Sequence, residues 1–134
     1  MIKIEIQGRP MGKQRPKVNT ITRVAYTPQK TVEYERLVRL IFVSKYRGFK
    51  PYTGELRAKI YAYYKVPKGT SKKKTKELME REWCTKKPDA DNIAKMVLDA
   101  LNGMAYIDDN QIAFLEVFKK YGEEEKVILE IEEL

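Results

Sequence analysis

The chain has 134 residues, 43% of them hydrophobic, and carries 27 Lys+Arg against 19 Asp+Glu, a net charge of +8. This length predicts one domain, residues 1–134, around a single hydrophobic core. The lack of histidine excludes Ser-His-Asp and Cys-His nucleophilic chemistry, and it argues against a structural zinc site. A single cysteine, Cys84, excludes an internal disulfide. With no apolar run long enough to span a membrane and no signal-peptide core, we expect a cytoplasmic protein with no membrane partner.

The charge is distributed unevenly along the chain. Residues 1–87 have a net charge of +16, whereas residues 88–134 have a net charge of −8. A basic surface around a local acidic site suits a polyanionic partner together with a metal ion. The simpler alternative is a basic surface that only contacts solvent.

The N-terminal part predicts a strand, a basic loop and a helix. Isoleucines alternate with polar residues over 2–7, which predicts a half-buried strand. Residues 8–17 contain two glycines and two prolines and predict a loop, which concentrates Arg9, Lys13, Arg15 and Lys17. Thr27 and Pro28 suit the N-cap and first position of a helix, and apolar residues at helical spacing extend it over about 28–46.

The central part predicts a strand over 56–66 and a polar helix within 70–87. One face of the strand is apolar, and the other mixes aromatic rings with Arg57, Lys59 and Lys65. That second face suits either nucleic acid or plain solvent. The helix carries Lys72, Lys73, Lys74 and Lys76. Trp83 near its end has two interpretations, a core residue or an exposed stacking residue, and the core interpretation is preferred. Residues 111–121 and 126–133 predict two strands joined as a hairpin.

Five aspartates surround a further predicted helix: Asp89, Asp91, Asp99, Asp108 and Asp109. Pro88 disfavours helix before it, Asp91 suits the cap, and an apolar stripe from Ile93 to Leu101 predicts a helix that ends at Gly103. Lys95 and Asp99 follow Asp91 at intervals of about one turn, so these side chains lie near one surface line.

Aspartate oxygens in this number predict a magnesium site. Asp89 and Asp91, in extended backbone, would point the same way, and one of Asp108 and Asp109 would complete the site. Each feature also has a simpler interpretation: Asp91 as a helix cap, Asp108–Asp109 as a turn, and Lys95–Asp99 as a surface ion pair. An EF-hand is excluded because Ala94 and Ala100 stand where such a loop needs Gly and Glu.

The pattern Asp89-x-Asp91-Asn92-x-x-Lys95, then Asp99-Ala100-Leu101, then Asp108-Asp109-x-Gln111, resembles the signature of the RusA family of Holliday-junction resolvases. Chain length, the first strand, the basic loop, Tyr26-Thr27-Pro28 at the start of a helix and the two C-terminal strands follow in similar order. The resemblance therefore covers essentially the whole chain.

The resemblance implies an α+β fold, with a small mixed or antiparallel sheet and helices packed on it. It also implies a homodimer whose two sites make paired symmetric nicks in a four-way DNA junction. Asp89, Asp91 and Asp109 would bind Mg²⁺, with Asp108 as a possible ligand, and Lys95 would be the remaining catalytic residue; Mn²⁺ is expected to substitute. Asn92, Asp99 and Gln111 would support these residues, and the basic residues named above would hold the DNA arms.

Two other functions fit the same residues. One is a magnesium-dependent nuclease that acts on flaps or structured RNA. The other is a non-catalytic basic module that binds DNA and whose aspartates only cap helices and turns.

Overall fold

The chain forms six strands and three helices in the computed structural model, which describes residues 1–134. The strands are β1 (Ile2–Gln7), β2 (Lys17–Val18), β3 (Ala25–Tyr26), β4 (Leu56–Tyr64), β5 (Ile112–Tyr121) and β6 (Lys126–Glu133). The helices are α1 (Gln29–Lys45), α2 (Lys72–Arg81) and α3 (Ala90–Ala100), and a 3-10 turn at Asp109–Gln111 leads into β5. The predicted elements are therefore present, with ends shifted by a few residues.

Four strands form one mixed sheet in the order β1-β6-β4-β5, and β2 pairs with β3 in a separate two-stranded ribbon. Strand β6 is antiparallel to both β1 and β4, whereas β5 runs parallel to β4. The predicted α+β class with a small mixed sheet is confirmed.

The predicted hairpin of the two C-terminal strands is wrong. Strand β4 lies between β5 and β6, so the two never pair. The turn between them crosses the end of β4, where the Gly122 N–H donates to the Tyr64 carbonyl at 2.9 Å. Strand β4 has nine residues and one fully buried face, so it offers β5 and β6 more ladder bonds and more burial than a direct pairing across a short turn would.

The core lies between one face of the sheet and helices α1 and α3. Alternate residues of β1, β4 and β6 are buried, and they meet Tyr34, Val38 and Phe42 of α1. The whole predicted apolar stripe of α3 is buried: Ile93, Met96, Val97, Ala100 and Leu101. Burial of these side chains fixes the orientation of α3, and hence the direction of its polar side.

No helix or strand of the chain covers the opposite side of the sheet, here called the outer face. It carries Arg57, Lys59, Tyr61 and Tyr63 of β4 in register with Phe114, Glu116, Phe118 and Lys120 of β5. Trp83 joins this face, stacked on Phe118 with ring centroids 6.5 Å apart and with 52% of its surface exposed. The prediction of Trp83 as a core residue is wrong because the side of the sheet that it contacts has no second layer.

Two helix starts also differ from prediction. Pro28 rather than Thr27 occupies the N-cap position of α1, because the fixed φ of proline already suits a helix entrance. Asp89 rather than Asp91 occupies the N-cap position of α3, and Asp91 lies in the first turn. These two aspartates therefore do not share one extended segment. No helix is long and apolar enough to cross a membrane.

Candidate active site along helix α3

Asp89 and Asp91 face a basic loop across an open pocket. The pocket has a volume of about 800 Å³, and none of its lining residues is hydrophobic. Its cationic lining comes from Arg9, Lys13, Arg15, Lys17 and Lys87. The start of α3 adds the positive end of the helix dipole to these charges. An anionic ligand that enters this pocket meets a strongly attractive field with two carboxylates at its wall.

The basic loop is fixed to α3 by close backbone contact. The Lys13 N–H donates to the Asn92 carbonyl at 3.2 Å. A Cβ at Gly12 would lie 2.7 Å from the Pro88 Cβ and 3.1 Å from the Asn92 Cβ, closer than such atoms approach. Glycine is therefore required at position 12, and the predicted supporting residue Asn92 helps to hold the loop through its main chain.

Lys13 is not an unpaired cation of the pocket, because its side chain binds two carboxylates of the protein. Its Nζ lies 2.9 Å from Glu35 Oε1 and 3.0 Å from Asp99 Oδ2. Burial alone would lower the pKa of Lys13, but its hydrogen bonds with Glu35 and Asp99 outweigh this and raise it. This ammonium group is thus an internal counter-ion, which makes it a poorer candidate for DNA contact than the other cations of the loop.

Glu35 is a residue of the site that no pattern in the sequence indicates. It lies on α1 and also approaches Arg39 Nη1 at 3.7 Å. Its one signal in the sequence is that it is one of only two acidic residues between positions 6 and 54. That signal does not indicate a partner 22 residues earlier in the chain.

Asp99 and Asp109 are in direct side-chain contact. Their mutual hydrogen bond, with burial second, raises the pKa of Asp109 to about 6. Burial would raise the pKa of Asp99 too, but its hydrogen bonds with Asp109 and Lys13 lower it overall. Two carboxyl groups in contact repel each other at neutral pH unless a proton or a cation lies between them.

Gln111 holds the turn that carries Asp108 and Asp109. Its side-chain oxygen accepts from the N–H groups of Ile107 at 2.8 Å and Asp108 at 3.0 Å. Its amide nitrogen donates to the carbonyls of Tyr52 at 2.9 Å and Gly54 at 3.0 Å. This one side chain therefore fixes the aspartate turn to the loop before β4, and its role as a supporting residue of the site stays a prediction.

Lys95 is exposed on α3, one turn from both Asp91 and Asp99, and forms no ion pair. Its charge is the smallest of the contributions that lower the pKa of Asp99. The alternative interpretation, a surface ion pair of Lys95 with Asp99, does not hold, because Asp99 pairs with Lys13 instead. Lys95 is left free to meet a ligand.

The donor set suits a hard cation, since all candidates are carboxylates and one pair already needs a positive charge between its members. The structure presents these groups in two places, Asp89 and Asp91 at the pocket and Asp109 against Asp99. No three of them form one group that could hold a metal ion. The set Asp89, Asp91 and Asp109 therefore stays a prediction, and Asp99 joins it as a neighbour of Asp109.

The remaining predicted DNA-binding cations fall into two kinds. Lys65, Lys72, Lys73 and Lys74 are exposed, and none of them forms an ion pair, whereas Lys76 approaches Glu80 at 4.0 Å. On the outer face, Arg57 pairs with Glu132 at 3.1 Å and Lys59 approaches Glu116 at 3.9 Å. The charge of the outer face is therefore largely balanced within the protein.

A family model described as Endodeoxyribonuclease RusA matches residues 7–132. The chain belongs to the RusA family, as its motifs predicted. Uncharacterized protein YqaN of Bacillus subtilis (strain 168) is 35% identical over 138 residues, which cover 99% of this chain and 96% of that protein. Membership indicates an endodeoxyribonuclease of the Holliday-junction-resolving kind, and nucleases of this family depend on a divalent metal in general.

Proposed function

We propose that this protein is a magnesium-dependent, homodimeric endonuclease that resolves four-way DNA junctions by paired symmetric nicks. The observation that carries the proposal is the juxtaposition of Asp89 and Asp91 with the basic pocket at the start of α3. A nuclease needs to attract a phosphate and to hold a cation at the same place. Family membership supports the DNA substrate and the hydrolytic reaction.

Asp89, Asp91 and Asp109 would hold the cation, with Asp108 as a possible ligand and Mn²⁺ as a substitute for Mg²⁺. A bound divalent cation supplies Lewis-acid polarisation of the scissile phosphate and activation of water. The contact of Asp109 with Asp99 supports a cation site at this end of α3. A cation between the two carboxylates would stabilise the pair, as a proton shared between them does.

Lys95 would act as a fixed positive charge beside the reacting phosphate. Its ammonium group would stabilise negative charge that develops on the phosphate or on the leaving oxygen. The exposure of Lys95 and its freedom from ion pairs support this role. With no histidine in the chain, no imidazole competes with it for proton or charge transfer.

DNA would be held by cations that the protein does not itself neutralise. In the pocket these are Arg9, Arg15 and Lys17, and along α2 they are Lys72, Lys73 and Lys74, with Lys65 nearby. Phosphate contacts of this kind give affinity and position, without sequence readout. Selectivity for a branched substrate would then come from the spacing of two sites in the dimer. A cytoplasmic location remains part of this proposal.

The deciding experiment compares cleavage of an immobile four-way junction, a flap duplex and a structured RNA, each with magnesium and with EDTA. We expect magnesium-dependent nicks in two opposite strands of the junction, and much slower cleavage of the others. Preferred cleavage of the flap or the RNA would contradict the proposed substrate. Binding that ignores magnesium, with no strand breaks, would show a non-catalytic DNA-binding module.

A further inference from the structure

The two-stranded ribbon of β2 and β3 ends in a tip that is both apolar and exposed. Every residue from Gln14 to Thr27 is exposed. Ile21, in the turn between the two strands, has 91% of its surface exposed, more than any other large hydrophobic side chain of the protein. Three further apolar side chains of the ribbon are exposed: Val18, Val24 and Tyr26. Single exposed apolar residues are ordinary, but four in one short ribbon indicate a surface that meets a ligand.

The turn that carries Ile21 is ordered by the hydrogen bonds of one residue. The Asn19 side-chain oxygen accepts from the N–H groups of Ile21 at 2.8 Å and Thr22 at 3.1 Å. The Asn19 N–H donates to the Val24 carbonyl at 3.0 Å, and the Asn19 carbonyl accepts from the Arg23 N–H at 2.7 Å. Ile21 therefore has a defined position at the end of the ribbon.

The base of the ribbon lies at the basic pocket. Lys17, the first residue of β2, lines this pocket together with Asp89 and Asp91. The loop before Lys17 is fixed to α3 by the contacts described above. The four residues from Lys17 to Ile21 span at most about 14 Å of extended chain. This length corresponds to about four base-pair steps of DNA. The tip is thus held within a short distance of the proposed catalytic aspartates.

The charge around the ribbon indicates a polyanionic ligand. Residues 6–32 contain no aspartate or glutamate, and their cations are Arg9, Lys13, Arg15, Lys17, Arg23 and Lys30. Of these, only Lys13 forms an ion pair. Arg23, two residues after Ile21, has a backbone φ of 57°, a conformation that glycine adopts more readily. The chain therefore keeps a cation at the tip where glycine would suit the backbone better.

An apolar tip in this basic field suits the bases of DNA. The cations attract the phosphates, whereas the Ile21 side chain has no group that can bind one. Proteins that bring apolar side chains to DNA insert them between base pairs, which are then partly unstacked. Ile21 and Arg23 together provide an apolar group for the bases and a cation for the adjacent phosphate.

We propose that Ile21 enters the base stack at the branch point of the DNA substrate, with Arg23 on a phosphate beside it; this inference rests on the proposed function. Stacking is interrupted at a branch point, so bases are separated there at a lower cost than in continuous duplex. Insertion therefore favours a junction over plain duplex and adds to the selectivity that two sites in a dimer provide. The length of the ribbon would place the nicked phosphate within about four nucleotides of the branch point.

Helix α1 supplies a matched control for the tip. Leu40 is also an exposed apolar side chain, at 62%, but it lies outside the basic pocket. Ile21→Ser and Leu40→Ser each shorten one exposed side chain and remove no buried contact. Both variants should therefore fold like the wild-type protein, which circular dichroism checks.

The first test measures unstacking without cleavage. A four-way junction carries 2-aminopurine, whose fluorescence rises on unstacking, either at the branch point or in the middle of one arm. In EDTA, we expect the wild-type protein and Leu40→Ser to raise the branch-point signal about twofold or more, and Ile21→Ser to remove most of this rise. Ile21→Val should restore it, and the arm probe should not respond. A wild-type protein that leaves the branch-point signal unchanged, or Ile21→Ser with the full rise, would overturn the proposal.

The second test separates base contact from phosphate contact. Ile21→Ser should bind the junction several-fold more weakly, with the same slope of log affinity against log salt as the wild-type protein, because no phosphate contact is lost. A slope reduced by about 1 would assign position 21 to the DNA backbone and overturn the insertion. Light scattering tests the rival ligand, a protein chain: a changed solution mass of Ile21→Ser with unchanged fluorescence would assign the tip to a protein contact instead.

The third test uses a junction that is already open. Ile21→Ser should cleave a fully paired junction about tenfold more slowly than the wild-type protein, and a junction with mismatched base pairs at the crossover at close to the wild-type rate. Equal slowing on both substrates would overturn the role in opening the branch point. Absence of any wild-type cleavage would refute the nuclease proposal alone, since the fluorescence test needs no strand break.

Discussion

The basic pocket and the outer face of the sheet have similar cationic sequences but different electrostatic character. Arg15 and Lys17 line the pocket and form no ion pair, whereas Arg57 and Lys59 of the outer face lie beside Glu132 and Glu116. Exposed Lys and Arg attract a polyanion only to the extent that the protein leaves them unneutralised. The number of cations in a segment therefore says less about DNA binding than the carboxylates that the fold sets beside them.

The same comparison applies within the pocket. Lys13 is enclosed by Glu35 and Asp99, while its neighbours on the loop face solvent. One loop thus carries both a structural cation and ligand-binding cations. Four experiments test the pocket, its contrast with the outer face, its attachment to α3 and the carboxylates beside it.

The largest effect is expected from Asp91→Asn, which tests whether the pocket is catalytic as well as attractive. We expect junction cleavage to fall about 1,000-fold, near 4 kcal/mol of transition-state stabilisation, because a proposed cation ligand is lost. Junction binding should stay unchanged or tighten, since repulsion of phosphate decreases. Glu77→Gln on exposed α2 is the control, and a fully active Asp91→Asn protein would remove Asp91 from the site.

The contrast itself is tested by two double variants, Arg15→Gln/Lys17→Gln and Arg57→Gln/Lys59→Gln. Each lost phosphate contact lowers the slope of log affinity against log salt by about 0.9. The slope of the pocket variant should therefore fall by close to 2, and this variant should bind DNA roughly tenfold more weakly. The outer-face variant should change affinity by less than about twofold and lose at most ~1 kcal/mol of stability. Titrations at several salt concentrations give both values. Equal losses in the two variants would show that local pairing does not decide DNA binding.

Gly12→Ala tests the attachment of the loop to α3. The new methyl group would clash with the Cβ atoms of Pro88 and Asn92, neither of which is a flexible chain end, so the loop must move away. We expect a several-fold loss of DNA affinity and about 1–3 kcal/mol of destabilisation. Gly54→Ala is the matched control, because nothing lies within 4 Å of a Cβ there. Wild-type behaviour of Gly12→Ala in thermal unfolding and binding would contradict the close contact.

The smallest effect concerns the stability of the carboxyl pair. The pKa of Asp109 is raised to about 6 in the folded protein. The ionised pair therefore destabilises the fold above pH 6. This destabilisation shrinks as the pH falls from 6 toward the pKa of the same carboxyl group in the unfolded chain. In EDTA at pH 8, Asp109→Asn should be more stable than wild type by on the order of 1 kcal/mol after solvent screening. This advantage should fade near pH 5 and reverse with magnesium. Thermal unfolding measures it, and an advantage equal at both pH values would exclude the pair as its cause.

Local patterns in the sequence predicted the elements well, because alternation and helical spacing follow directly from burial on one side. The strands at 2–7, 112–121 and 126–133 and the helices α1 and α3 agree with these patterns. The pairing of the last two strands could not be read this way, since it depends on β4, which lies almost 50 residues earlier. An alternating strand shows which residues are buried and does not show its neighbour.

The candidate site shows the same limit. The motif residues were identified from their spacing, and the structure places Asp89 and Asp91 at the pocket and Gln111 at the base of the aspartate turn. The contacts of Lys13 with Glu35 and of Asp99 with Asp109 join separate elements, so no periodicity indicates them. The exposure of Trp83 likewise depends on the missing second layer of the outer face.

The place of β6 in the sheet bears on how the chain reaches its native state. The last strand in the sequence lies in the interior of the sheet, between the first strand and β4. The complete four-stranded sheet can therefore close only when β6 is present, because β6 joins β1 to β4. Pairing over such sequence distances is slow. A chain that lacks β6 should consequently lose both the fold and the proposed nuclease activity.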